Sequence, residues 1–291
     1  MADRPVPLTF DIYVAPSVPT AGDDLPPGAT ERLWSPISST LISGRREAVL
    51  VDALLTVSQA RDLADWVAAH GKRLTAVYIT HGHGDHWFGL ATILDRFPEA
   101  HALAVPQVVE QMQRGSAAAF LASFWQSRFP GQIPDDLVLA EPMRDPAIEL
   151  EGHDLVAVRL GHTDTDETTC LDVPAIGLVV AGDAAYNDVH LYLAESGRQG
   201  RRDWISALDT IESLQPRAVI AGHKRPGRND HPRIIEETRQ YIRDFDHITQ
   251  TAGTARELYD RMLALHPHRI NPGALWGAAR AAKPPQARTA A

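Results

Sequence analysis

At 291 residues with a hydrophobic fraction of 44%, the chain is long enough to bury a sizeable core, and 28 basic against 37 acidic side chains leave a formal charge of −9. That balance disfavours nucleic acid or an anionic membrane as a partner, because either needs a dense basic surface. The lone cysteine, Cys170, excludes an internal disulfide and reads as buried packing, no apolar run of about 18 residues could span a bilayer, and Met1 to Phe10 carries no signal-peptide core, so a cytoplasmic protein is expected.

Alternation from Leu8 to Val14 predicts a first strand, followed by a Pro/Gly-rich loop from Pro16 to Ala29. Ile37 to Ser43 and Glu47 to Asp52, parted by Gly44-Arg45-Arg46, predict a hairpin. Ala60, Leu63, Ala64 and Val67 recur at helical spacing within Thr56 to His70, and Gly71 closes that helix. Leu74 to Thr80 is a short apolar strand that runs straight into His81, and a further helix begins near Trp87. A helical insertion occupies about 106–146: Gln107 to Arg128 is helical, and Pro130 to Pro146 is irregular. Strands are predicted at Leu155 to Leu160, Thr168 to Val173, Ile176 to Gly182 and Ala218 to Ala221, with a helix from Asp203 to Leu214. C-terminal helices over about 232–282 (Pro232 to Gln250, Thr254 to Leu265) precede an expected flexible tail at 283–291. Strands alternating with helices and no evident linker predict one α/β layered domain over 1–282.

The chemistry-bearing cluster is His81-Gly82-His83-Gly84-Asp85-His86. Imidazole nitrogens and carboxylate oxygens suit a borderline cation such as zinc. His81 and His83, two residues apart on a chain leaving a strand, can present both rings on one side. Without a cation these groups would be partly buried polar atoms in need of partners. One loop cannot complete two coordination shells, and strand-end candidates follow: His162 after Gly161, Asp183 after Gly182, and His223 after Gly222. The remaining histidines (His70, His101, His153, His190, His231, His247, His266 and His268) stand at helix ends, turns or polar stretches and read as surface residues.

The motif His-x-His-x-Asp-His, then a separate His, an Asp and a final His, resembles the metallo-β-lactamase-fold hydrolase superfamily, with Val51-Asp52-Ala53 matching the strand-end aspartate that precedes the motif. The resemblance implies a four-layer αβ/βα sandwich, here with additional C-terminal helices. It implies two zinc ions per chain, iron or manganese being alternatives: His81, His83 and His162 on the first, Asp85, His86 and His223 on the second, Asp183 bridging. Asp52 would brace the site from behind. Two metals about 3.5–4 Å apart generate hydroxide near neutral pH and stabilise both the attacked oxygen and the leaving atom. The expected activity is therefore hydrolysis of an ester, lactone or related acyl bond of a small molecule by metal-bound hydroxide, with Asp85 and Asp183 orienting it.

Within that superfamily, an aspartate rather than a cysteine at the bridging position and the missing leader disfavour the secreted β-lactamases. A thioester hydrolase of the glyoxalase II type and a mononuclear iron sulfur dioxygenase remain alternatives. Tyr186, three residues after Asp183, resembles the tyrosine of quorum-quenching lactonases and either donates to a developing oxyanion or packs beneath the loop. Trp87 and Phe88 stand where lactonases carry small residues. With Phe120, Phe124 and Trp125 they are candidates for an apolar substrate wall, the latter three fitting a core-facing stripe equally. Lys224 and Arg225 follow a ligand and read as a carboxylate-binding pair or as solvated charge. A homodimer is left open.

Overall fold

The structure is a computed structural model that describes residues 7–284. The first six residues, read above for a signal peptide, and the tail from 285 onward lie outside the described residues. Strands β1 (Thr9–Ala15), β2 (Ile37–Ser43), β3 (Glu47–Val51), β4 (Arg73–Tyr78), β5 (His101–Ala104) and β6 (Glu141–Pro142) form one sheet in sequence order. The hairpin β2–β3 is antiparallel, whereas β3, β4, β5 and β6 run parallel. The crossovers that parallel pairing demands are helices α1 (Val57–Ala69), α2 (Gly84–Trp87), α3 (Leu90–Arg96) and α4 (Pro106–Gly115). Helix α5 (Ala118–Phe120) passes directly into a π-helical turn, Leu121–Gln126.

The second sheet has the order β11-β10-β9-β8-β7, from β7 (Ala147–Leu150), β8 (His153–Gly161), β9 (Thr168–Val173), β10 (Leu178–Asn187) and β11 (Ala218–Lys224). Helices α6 (Arg198–Ser213), α7 (Ile234–Thr251), α8 (Ala255–Leu265) and α9 (Pro272–Ala282) complete the described chain. The period of two along a strand decides what each face buries. On β10, Leu178 and Val180 pack into the core shared by the two sheets, while Val179 and Ala181 pack outward with Trp204 of α6 and Tyr241 of α7. On β11, Ile220 and Val219 divide in the same way. Helices, two sheets and helices therefore stack as the expected four layers.

Three departures from the sequence reading have physical causes. Strands β10 and β11 continue through Asp183 and His223, because register shifts around Gly182 let β10 bend away and resume its pairing at Tyr186. Helix α9 has no separate signature in the sequence, since its run of alanine and glycine carries little apolar period. His190 is buried rather than at the surface: its Nδ1 lies 2.9 Å from the Tyr241 hydroxyl, and burial pushes its pKa down to about 3. No helix among the described residues is long and apolar enough to cross a membrane.

Trp87 and Phe88 lie fully buried under the histidine loop, so they are part of the core rather than a substrate wall. The Trp87 indole donates to the Gly82 carbonyl (3.0 Å), and the Phe88 ring fills the space that a side chain on Gly84 would occupy. Trp87→Ala is expected to cost about 3–5 kcal/mol of stability, read from the denaturant midpoint. A midpoint near wild type would show that the loop does not rest on this ring.

Candidate metal centre

Four strand-linked segments converge on one edge of the sandwich. Beyond β4, Thr80 and His81 lead into the turn that becomes α2, and α2 carries Asp85 and His86. The turn between β8 and β9 supplies Asp164, the bend of β10 supplies Asp183, and β11 supplies His223. Close approach requires glycine at two of these points. Gly182 adopts φ +52°, and a Cβ there would fall 2.6 Å from Thr80 Oγ1. A Cβ on Gly222 would fall 2.1 Å from Asp183 Oδ1.

Each of the four histidines has one ring nitrogen held from outside. His86 Nδ1 donates to Asp52 Oδ2 (2.8 Å), and His223 Nδ1 donates to the Pro36 carbonyl (2.9 Å). His81 Nδ1 lies 3.0 Å from Thr80 Oγ1, whose hydroxyl in turn donates to Asp52. His83 Nε2 meets Glu195 Oε1 at 3.2 Å. Such partners orient the ring and leave the opposite nitrogen facing inward, where its lone pair is available once its proton is lost.

Those inward atoms meet carboxylates. His83 Nδ1 is 2.8 Å and His81 Nε2 3.6 Å from Asp164 Oδ2. Asp183 lies between the next pair, Oδ1 3.2 Å from His86 Nε2 and Oδ2 3.1 Å from His223 Nε2. Asp85 Oδ2 is 3.4 Å from His223 Nε2 and accepts from the Trp34 indole at 2.8 Å. Three groups have the spacing of a cation's shell: His81, His83 and Asp164; His81, His86 and Asp183; and Asp85, His86 and His223. His81 Nε2, His86 Nε2, Asp164 Oδ2 and Asp183 Oδ1 are buried without a well-aligned hydrogen bond and face only their ion-pair neighbours. Buried polar atoms in this state are costly, and divalent cations held in these groups would satisfy them, so the donor set fits the kind of metal that the sequence implies.

The electrostatics point the same way. Burial opposes the charged form of every member, yet the acidic groups prevail. Against burial, Asp183 and Asp85 raise His223 to about 10, while Asp183, Asp52 and Asp85 pull His86 well above its ordinary value. Against burial again, Asp164 and Glu195 raise His83. The same histidines outweigh burial at Asp183 and Asp85 and hold both carboxyls below the usual range. His81, by contrast, is lowered, first by burial and then by the charge of His86. In the metal-free protein His83, His86 and His223 therefore favour the protonated form, which offsets the carboxylates, while His81 favours the neutral one.

The structure brings His81, His83, Asp85, His86, Asp183 and His223 together, but not His162. That ring is turned toward the start of α6, with Nδ1 2.6 Å from Asp166 Oδ1 and Nε2 3.0 Å from Ser196 Oγ. Gly161, at φ +76°, ends β8 with a turn that sends His162 outward and returns the chain so that Asp164 faces His83. Asp164 was missed because Gly-His-Thr-Asp-Thr-Asp offers three acidic or imidazole candidates, and only the turn's geometry selects among them. Trp34 and Glu195 left no local signal; both come from loops distant in sequence.

Tyr186 is buried, and its hydroxyl donates to Asp183 Oδ2 (2.8 Å) while also lining a cavity of about 320 Å³ above the cluster. The π turn divides the insertion's aromatics. Trp125 is buried against Trp34, Phe88 and Phe129, whereas Phe120 and Phe124 stack on each other at 5.3 Å. All three line the cavity, with Phe120 the most exposed at its mouth. Neither Trp87 nor Phe88 lines it.

The family model of the metallo-beta-lactamase superfamily matches residues 32–223, well over half of the chain, and the chain belongs to that superfamily. Its members are in general metal-dependent hydrolases, and this protein is an enzyme of that class. The fold is similar to a metallo-beta-lactamase family protein from Thermus thermophilus, at 21% identity over 93% of this chain and 91% of that one with a TM-score of 0.61. It is also similar to a metallo-beta-lactamase from Pontibacter korlensis, at 14% identity over 80% and 99% with a TM-score of 0.57. A third likeness, to a metallo beta lactamase from Hirschia baltica, has 15% identity over 81% and 93% with a TM-score of 0.53. A comparison with curated proteins finds no match to this sequence.

Asp164→Ala is expected to lower the metal content of dialysed protein, and His162→Ala to leave it at the wild-type level; the reverse result would restore the histidine as ligand. Because His223 is raised to about 10 in the metal-free cluster, it is protonated at neutral pH, so metal uptake must expel protons and weaken as pH falls. Calorimetry in buffers of different ionisation enthalpy reads that release directly.

Proposed function

We propose that this enzyme hydrolyses an ester, lactone or related acyl bond of a small molecule with two divalent metal ions bound, zinc being the first candidate. The observation that carries this reading is the set of inward-facing donors, with Asp183 offering one oxygen toward His86 and the other toward His223 at the base of a cavity. His81, His83 and Asp164 would hold one metal, Asp85, His86 and His223 the other, with Asp183 between them. When bound, such ions act as Lewis acids toward the substrate carbonyl and acidify a coordinated water.

The chain's own residues supply the rest. Asp85 Oδ2 is kept in place by the Trp34 indole and faces the cavity floor, where it can orient an attacking water. Burial, reinforced by Asp183, pushes the Tyr186 phenol well above its ordinary pKa, so it stays a hydrogen-bond donor at neutral pH. Its position beside Asp183 and on the cavity wall supports donation to an oxyanion. Trp34, Phe124 and Trp125 exclude water from one side and favour an apolar acyl group.

One alternative has its own observation. Two histidines and a carboxylate, His81, His83 and Asp164, form the type of set that suits mononuclear iron(II), as a sulfur dioxygenase would require. Metal analysis separates the readings: about two zinc ions per chain support hydrolysis, and a single iron per chain overturns it. Metal-replete protein is then assayed against lactones, aryl esters, thioesters and β-lactams, with turnover of a lactone or ester expected. Glyoxalase II-like chemistry is indicated instead if only thioesters react. Tyr186→Phe is expected to lower kcat about a hundredfold with metal content unchanged; an unaltered kcat would assign the phenol to holding Asp183 alone.

A further inference from the structure

The cavity above the metal centre is acidic at one end and cationic at the other. Two arginines line it, Arg32 and Arg128, and their situations differ. Arg32 is committed: its guanidinium meets Asp24 Oδ2 at 2.5 Å and donates to the Gly273 carbonyl at 3.0 Å. Asp24 is shared further with Arg280. Arg128 has no carboxylate within ion-pair distance among the described residues. Among the described residues its one side-chain hydrogen bond runs from Nη1 to the Phe124 carbonyl (2.9 Å), and its guanidinium lies over the Phe124 ring, 4.0 Å from the centroid. Its backbone carbonyl accepts from Ala21, which fixes the root of the side chain.

A guanidinium that is stacked, half-buried and unpaired still has most of its donor fork available. Burial and the neighbouring charge of Arg32 both disfavour its charged form, so an anion arriving there relieves an existing cost. The cations suggested by sequence do not compete for that role. Lys224 is buried in an ion pair with Asp230, and Arg225 pairs with Asp188 and the His268 carbonyl. Between Arg128 and the metal-side Asp85 the wall is formed by Trp34, Phe124 and Trp125, and Trp34 itself hydrogen-bonds Asp85.

We propose that Arg128 is a specificity-determining residue that binds a carboxylate carried by the substrate at the end remote from the scissile bond. This rests on the hydrolase reading for what happens at the metal end, but not for the binding itself. The substrate class is then an acyl compound with an apolar middle, which lies along the aromatic wall, and a terminal carboxylate paired with the Arg128 fork. A single guanidinium with Asp24 nearby fits a monoanion better than a dianionic phosphate.

The test is calorimetric binding to the metal-loaded protein of straight-chain dicarboxylates, glutarate to suberate, each paired with the monocarboxylate of the same chain length. Both members of a pair offer one carboxylate to the metals, so their difference reads the second. At one length or more the dicarboxylate should bind on the order of tenfold tighter, and added salt should erode that advantage. Arg128→Met should abolish the advantage and Arg128→Lys should retain part of it, with melting temperatures confirming that both variants fold. No advantage at any length, an advantage that survives Arg128→Met, or tighter binding of alkyl phosphates than of dicarboxylates would each overturn the assignment. An advantage that depends on Arg128 in a protein that hydrolyses none of the acyl panel would uphold this site and overturn the acyl-bond reading.

Discussion

Three carboxylates forced together in a buried pocket are the constraint on which the rest of the site depends. Asp85, Asp164 and Asp183 are each buried, and each lies within 4 Å of a histidine nitrogen. Asp183 disfavours the charged form of both its neighbours, and like charges gathered in a poorly solvated place must be neutralised or expelled. The protein cannot expel them, because α2, the β8–β9 turn and the bend of β10 hold their backbones. It arranges for positive charge instead, first by ring protons and then by a cation. The outer partners Asp52, Thr80, Pro36 and Glu195 make that exchange orderly, since each fixes which nitrogen stays free.

The two sheets are joined where this constraint is greatest. Ser38 of β2 donates to the Ala221 carbonyl of β11, and Thr169 of β9 donates to the Thr80 carbonyl (2.7 Å). Tyr78 of β4 meets Thr169 from below at 2.7 Å. These links set the separation of the two strand bundles beneath the metal loop, and so the distance between the donors that each bundle carries. Apolar burial on both sides of each sheet then supplies the stability that permits a polar cluster at the edge.

Much of this was legible in sequence, and the exceptions share a cause. The strand leading into His81, the hairpin before Asp52 and the glycines before Asp183 and His223 were visible because local pattern and local structure agree there. Asp183 and His223 were placed by strand-then-glycine spacing, which marks where two backbones must touch. His162 was misplaced because its neighbours in sequence offer equivalent donors, and the choice is made by a left-handed turn at Gly161 and by the approach of α6. Trp87 and Phe88 were misplaced for a related reason. Being adjacent to donors says nothing about which side of the loop a ring occupies, and two glycines in the loop let it settle directly onto them.

Trp34 joins two parts of the molecule usually considered separately. One edge of its indole closes the aromatic wall against Phe124, Trp125 and Phe129, and its N–H ends on Asp85. The aromatic wall of the cavity and a carboxylate of the buried cluster thus share a single rigid plane. Displacing that plane to accept a bulkier substrate withdraws the donor from Asp85 and changes how strongly the carboxylate holds its ion. A change of ring shape at Trp34 would therefore be felt at both the cavity wall and the carboxylate.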